Sequence, residues 1–349
     1  MGAKKNIINV GAMDSQERES TTSSNQFLFK LTKFLVVLYS ISTYIYLVTD
    51  ENRLTDWNAK IFVSDLSQNS LVIHHPICEE RREVFQRILM YKNRHFKYVF
   101  IGSSRIMQFG KHTGYEDGLN LGVSGAGLED VLIVDSLRKH YGITCDSLYV
   151  DFNPWYVQSK TDERFLQFDG LENVKHALAH IFMFDHSINN LKTIPFSKTS
   201  NYQPISTVKN PESFHIKNQD GSSIHKPLST RKRALEIEHF IREMYQMKNF
   251  DSIQPSRMLI FKDWALKNSL TAPITIVLSP FHPTLFKQRI SDRRVKNILA
   301  TERIVRRWNH ANTQVIGTFY SRDSNYIDSD FYDGFHLTDE AVRVKLSVF

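Results

Sequence analysis

The chain has 349 residues, of which 41% are hydrophobic, 12% aromatic and 23% charged. This is a globular composition: it excludes a disordered or collagen-like chain and a multi-span membrane protein, and the length suffices for one large domain or two small ones. Lys and Arg total 44 against 37 Asp and Glu, a net charge of +7, and no basic stripe interleaved with aromatics marks a nucleic-acid surface. Cys78 and Cys145 are too few for a four-cysteine zinc site or a disulfide scaffold; they either form one bridge or stay as free thiols.

Residues 1–26 are polar, with the run Ser20-Thr21-Thr22-Ser23-Ser24, and read as a disordered tail. Residues 27–48, FLFKLTKFLVVLYSISTYIYLV, follow. Their uncharged stretch, extended by turns from which Lys30 and Lys33 can snorkel, reaches the ~20 residues of a bilayer span. The lysines precede the span and Asp50 and Glu51 follow it, which predicts a cytoplasmic tail and a domain on the far side of the membrane. A cleaved signal segment and a soluble helix are the competing readings.

Residues 49–96 read as a linker and a charged amphipathic helix over Glu79–Tyr91, with Val84, Phe85, Ile88 and Leu89 on one face. From residue 97 the pattern alternates. A buried strand over Tyr98–Ile101 ends at Gly102, and a second ends near Gly122. A helix over Leu128–Tyr141 is stopped by Gly142, and a third strand, Ser147–Phe152, meets Asn153-Pro154. Residues 155–250 are irregular, with one helix over Arg231–Lys248, and read as an insertion. The core pattern then resumes with a helix over Ser256–Asn268 and a fourth strand, Ile274–Leu278. One long basic helix over Leu285–Asn312 precedes a fifth strand, Gln314–Phe319, and a last helix opens at Leu337-Thr338-Asp339-Glu340. Strands alternating with helices predict an α/β fold with a parallel sheet covered on both faces, and a site outside the carboxyl ends of its strands.

Those ends carry a chemical selection. Gly102-Ser103-Ser104-Arg105 follows the first strand and Gly122-Val123-Ser124-Gly125-Ala126-Gly127 the second. Asn153 follows the third, Ser279-Pro280-Phe281-His282 the fourth, and Asp333-Gly334-Phe335-His336 lies between the fifth and the last helix. A serine hydroxyl needs a histidine to take its proton, and the histidine needs a carboxylate to fix its tautomer. An oxyanion needs preorganised donors, worth roughly 3–4 kcal/mol for a single one. Ser104, His336 and Asp333 fit the first roles; the N–H groups of Ser104 and Gly125 and the Asn153 amide fit the last.

In order and context these blocks resemble the SGNH (GDSL-like) hydrolase superfamily: IGSSR its first block, NLGVSGAG its second, VDFNPW its third and DGFHLTDEA its last. The similarity covers roughly residues 97–155 and 272–345, and its Gly-x-Ser spacing points to Ser104 rather than Ser103. It implies a flavodoxin-like three-layer sandwich with a parallel sheet of about five strands, behind one N-terminal transmembrane helix. Two positions depart from the pattern: Ser103 stands where the family has Asp, and Asp151-Phe152-Asn153-Pro154 where it has Gly-x-Asn-Asp. With its apolar N-terminus the chain is similar to membrane-tethered bacterial members, several of which act in O-acylation of exported polysaccharides. The resemblance therefore implies a serine esterase or O-acetyltransferase without a cofactor. Its substrate would be an acylated carbohydrate, and an integral membrane acyl donor a further partner.

Around this core, His282 reads as a substrate contact or a loop histidine, and Arg105 as an anion holder or the partner of a carboxylate. Trp155 and Tyr156 suit stacking on sugar or core packing equally. His74-His75 and the other histidines show no metal-ligand spacing. The rival to an enzyme is a glycan-binding or scaffold subunit that keeps the fold without an activated serine.

Overall fold

The computed structural model describes residues 28–40, 56–73, 80–157, 202–207, 209, 215–225, 228–246, 252–289, 292–308, 310–321 and 325–346. The expected tail, His74-His75, Cys78 and residues 158–201 of the expected insertion lie outside them. The chain divides into two compact units, residues 1–50 with 174–197 and residues 51–173 with 198–349. In the first, residues 28–40 form a helix on which Phe29, Phe34, Leu35, Val36 and Val37 are exposed and Lys33 lies 4.3 Å over the Phe29 ring. Its described turns rise about 20 Å, against ~30 Å of hydrocarbon in a bilayer. Among the described residues no helix is long and apolar enough to cross a membrane, and residues 27 and 41–48 of the expected span lie outside them.

The second unit begins with α1 (Asp56–Gln68), β1 (Leu71–Ile73) and α2 (Glu80–Met90), followed by β2 (His95–Gly102), β3 (Gly118–Gly122), α3 (Leu128–His140) and β4 (Thr144–Asp151). Three short strands come next, β5 (Tyr202–Pro204), β6 (His215–Lys217) and β7 (Ser223–Ile224), and then helices α4 (Thr230–Gln246) and α5 (Pro255–Ser269). The chain closes with β8 (Ile274–Leu278), α6 (Pro283–Arg289), α7 (Arg293–Arg306), β9 (Thr313–Gly317) and α8 (Asp339–Lys345).

The five strands expected from the sequence form one parallel sheet in the order β3-β2-β4-β8-β9. Numbered by their place in the chain, this order is 2-1-3-4-5, with the switch point between β2 and β4. Alternation along each strand loads both faces. Val99, Ile101, Leu148, Val150, Ile274, Ile276 and Leu278 join a core with α2, α3, α5 and α7, while Phe100, Tyr149, Val277 and Ile316 join a second core with α8 and the 106–115 segment. Register brings the carboxyl ends level: Gly102 faces Gly122, Asp151 faces Val277, and Leu278 faces Gly317.

Two segments differ from the sequence reading. The expected helix over Leu285–Asn312 is two helices. Asp292 is extended (φ −63°, ψ 138°) and its Oδ1 accepts the Arg294 N–H at 2.7 Å, an N-cap that starts α7 anew. The segment read as a linker contains α1 and β1, and β1 is an inner strand of a second, antiparallel sheet, β5-β1-β6-β7. This small sheet is tied to the large one. The loop after β6 offers the Asp220 carbonyl to the N–H of Asn120 on edge strand β3 at 2.7 Å, and Lys217 of β6 pairs with Glu83 of α2 at 2.9 Å in the interior.

Gly102 closes β2 at φ +148°, and a Cβ there would lie 1.8 Å from Asp151 Oδ1. Backbone strain and overpacking both follow from any side chain, so Gly102→Ala is expected to destabilise by about 3 kcal/mol. Urea unfolding checks this; a midpoint unchanged from wild type contradicts the packing described.

Candidate active site

The turn after β2 rests on one buried carboxylate. Asp151, the last residue of β4, is fully enclosed and accepts the Ser103 N–H at 3.0 Å, the Ser103 hydroxyl at 2.5 Å, the Asn153 amide at 2.7 Å and the Tyr156 hydroxyl at 2.8 Å. Burial pushes its carboxyl above the usual range, against the hydrogen bonds from Ser103, Tyr156 and Asn153. Ser103 Oγ also accepts from Asn153 Nδ2 at 3.0 Å and from the Arg105 N–H at 3.3 Å, and the residue has no exposed surface. Its hydroxyl is thus a structural bridge.

The neighbouring hydroxyl has a different environment. Ser104 is half-buried, and its Oγ lies 2.9 Å from His336 Nε2. His336 Nδ1 lies 2.8 Å from Asp333 Oδ2, while Asp333 Oδ1 accepts the N–H groups of Phe335 and His336 at 2.6 and 2.7 Å. Burial alone would raise the Asp333 carboxyl; His336 and the two backbone N–H donors outweigh it and hold the group well below the usual carboxylate range. An ionised acceptor on Nδ1 places the proton there and leaves Nε2 as the acceptor facing Ser104. Tight backbone geometry keeps this loop in position: α4 lays the Phe240 ring where a Gly334 side chain would be, and the His282 N–H donates to the Gly334 carbonyl at 3.2 Å.

No protein-family model and no curated protein matches the chain.

The other expected site residues are placed as follows. Gly125 sits in the exposed loop after β3 at φ +63°, the left-handed conformation that favours glycine. Asn153 differs from expectation. Its Oδ1 accepts from Arg105 Nη1 at 3.1 Å, which orients the amide, and its Nδ2 is directed at Ser103 and Asp151. With both amide hydrogens engaged in the interior, it braces the serine turn rather than presenting a donor to an acyl oxygen.

Arg105 is a correction too. It is 1% exposed and among the described residues forms no ion pair with a carboxylate; it clamps the turn to the end of β8, donating to the carbonyls of Ser279 and Pro280, with its guanidinium 4.3 Å over the Phe281 ring. Burial lowers its pKa to about 10, opposed by the charges of Asp151 and Asp333, so it stays a cation at neutral pH. His282 is likewise 1% exposed, too enclosed for a substrate contact. Trp155 is half-buried; its indole N–H donates to the Ala126 carbonyl at 2.8 Å and its ring meets Phe335 edge-on, so it links the Gly125 loop to the histidine loop.

The structure adds Asp151 and, through its ring contact with His336, His225 to the residues that frame the site, and it packs Tyr156 in the core with its hydroxyl on Asp151. Among the described residues no group of three or more His, Cys, Asp or Glu side chains could hold a metal ion. Cys145 is a free thiol whose pKa burial raises.

His282 has a consequence for stability. Burial lowers its pKa to about 4, against the opposing charge of Asp328, from an ordinary value near 6.5. Because the folded value lies below the unfolded one, the group costs nothing above pH 6.5 and destabilises increasingly as pH falls toward 4. The cost between pH 7 and pH 5 is about 2 kcal/mol. His282→Asn, whose Oδ1 can take over the Thr284 N–H held by Nδ1 at 3.2 Å, is expected to remove that increment. Urea unfolding of both proteins at the two pH values checks it; equal pH dependence contradicts it.

Proposed function

We propose that the protein is a serine-dependent acyl-transfer enzyme, an esterase or O-acetyltransferase acting on an acylated polysaccharide outside the cytoplasm. The observation that carries this reading is the continuous hydrogen-bond chain Asp333–His336–Ser104, 2.8 and 2.9 Å long, on half-buried side chains at the carboxyl edge of the sheet. Contiguous nucleophile, base and orienting acid are the arrangement that acyl transfer requires.

In this reading Ser104 Oγ forms a bond to the acyl carbon while its proton passes to His336 Nε2, and the carbonyl electron pair moves onto oxygen. The N–H groups of Ser104 and Gly125 are the donors for that oxyanion. When the intermediate collapses, the bond to the alcohol breaks and His336 returns the proton to the leaving oxygen, which leaves an acyl group on Ser104. Water, or a carbohydrate hydroxyl, is then deprotonated by the same histidine and takes the acyl group. Asp333 stays ionised throughout and stabilises the imidazolium.

Position supports the reading as well: Ser104 follows β2 and the Asp151 network follows β4, the two strands that flank the switch point where α/β sheets hold their ligands. The strand order fits the flavodoxin-like three-layer sandwich expected from the SGNH resemblance. The departure at Ser103 has a physical counterpart, since Asp151 brings a carboxylate against that position from the neighbouring strand. Residues 27–48 complete the proposal as a tether that holds the domain near exported polymer; their lysine-first, acid-last flanks support that orientation.

Incubation of the full-length protein with an O-acetylated polysaccharide and with p-nitrophenyl acetate is the test. Acetyl release or transfer is expected on both, falling at least about 10³-fold in Ser104→Ala and in His336→Ala. Turnover of the small ester alone sinks the carbohydrate assignment. Turnover unchanged in Ser104→Ala sinks the mechanism, and a folded wild type inert on both substrates favours the scaffold reading.

A further inference from the structure

We infer that His225, delivered by the small antiparallel sheet, is a positioning residue for the base His336; this rests on the acyl-transfer reading. Directly after β7, the His225 ring lies almost parallel to the His336 ring, 5.3 Å between centroids and 15° between planes. The two edges of the His336 imidazole are held by Asp333 at Nδ1 and Ser104 at Nε2. Neither hydrogen bond prevents the ring from rocking about the line that joins them. A flat neighbour on one face does.

His225 is itself fixed by the loop it supports. Its N–H donates to Asp339 Oδ1 at 2.9 Å, and its carbonyl accepts the Asp339 N–H at 3.3 Å. Tyr332 meets the His225 ring edge-on at 5.1 Å, and the Tyr332 N–H donates to the His336 carbonyl at 2.8 Å. Asp339 also faces His112 Nε2 at 3.4 Å, which ties the same point to the 111–113 turn. The segment carrying the base is therefore gripped on both sides of His336 by contacts that converge on one residue, the one directly after the last strand of the small sheet. Proton transfer needs Nε2 to stay within hydrogen-bond reach of Ser104 and then of the leaving oxygen, and small misplacements of a reacting group cost up to about 10²-fold in rate. On this account the small sheet is part of the catalytic apparatus.

Steady-state hydrolysis of p-nitrophenyl acetate by the full-length wild type, His225→Ala, His225→Phe and His225→Gln tests the inference, with thermal unfolding recorded for each. His225→Ala is expected to lose about 10- to 100-fold in kcat with KM within about twofold. His225→Phe, which restores a flat ring without its nitrogens, is expected to recover most of that loss. If His225→Ala melts early, His225→Gln, polar but without a ring, is expected to show the same loss. A kcat within twofold of wild type for the ringless variants, or an equal loss in His225→Phe, overturns the positioning role. A folded wild type inert on p-nitrophenyl acetate and on the O-acetylated polysaccharide alike overturns the acyl-transfer reading itself, and this inference with it.

Discussion

The architecture of the candidate site depends on a buried carboxyl group. Asp151 brings a carboxylate to the end of a central strand with no exposed surface. Such a group is tolerated only when its oxygens are filled with donors. Four groups supply them: the Ser103 N–H, the Ser103 hydroxyl, the Asn153 amide and the Tyr156 hydroxyl. Satisfying Asp151 thereby dictates where the backbone of Ser103 sits, and the next residue is Ser104. Arg105 completes the arrangement as a buried cation reached through the Asn153 side chain, so one amide bridges the guanidinium and the Asp151 carboxyl group at the foot of the serine turn. Gly102 is required because the carboxylate occupies the space its side chain would fill.

From that foundation the site is assembled by the order of the sheet. Parallel strands in register bring loops far apart in sequence to one edge, with the serine turn and the Asp151 network on adjacent strands at the switch point. The loop bearing Asp333 and His336 comes from beyond β9, and α4, His282 and Trp155 brace it from three directions. Arg105 and His282, for which a substrate contact was one of two readings, act as internal struts. A rigid frame of this kind is what preorganised catalysis asks of a fold.

The elements legible in the sequence were those with a local signal. Ile274–Leu278 is apolar but for Thr275 and rich in β-branched residues, and all five of its residues are buried. Ser104, Asp333 and His336 could be picked out because each stands at a strand exit or before a helix, where side chains are free to serve chemistry. The break at Asp292 also had a local signal, an N-cap acid before Arg293, but it was hidden inside a continuous helical pattern. Asp151 was harder to read. An acid ending a strand ordinarily marks the return to solvent, and only the approach of Ser103 from the neighbouring strand turns it inward. Nothing local announced the small sheet: its strands run two or three residues, too short for periodicity, and β1 pairs with partners beyond residue 200. The contact of His225 with His336 was invisible for the same reason.

The most direct measurement is labelling of the folded, full-length protein with a fluorophosphonate, followed by peptide mass mapping. The account predicts a single adduct on Ser104, absent in Ser104→Ala and strongly slowed in His336→Ala, because among the described residues that hydroxyl is the one that faces the base. An adduct on Ser103, or a folded protein that takes no label at all, would contradict it.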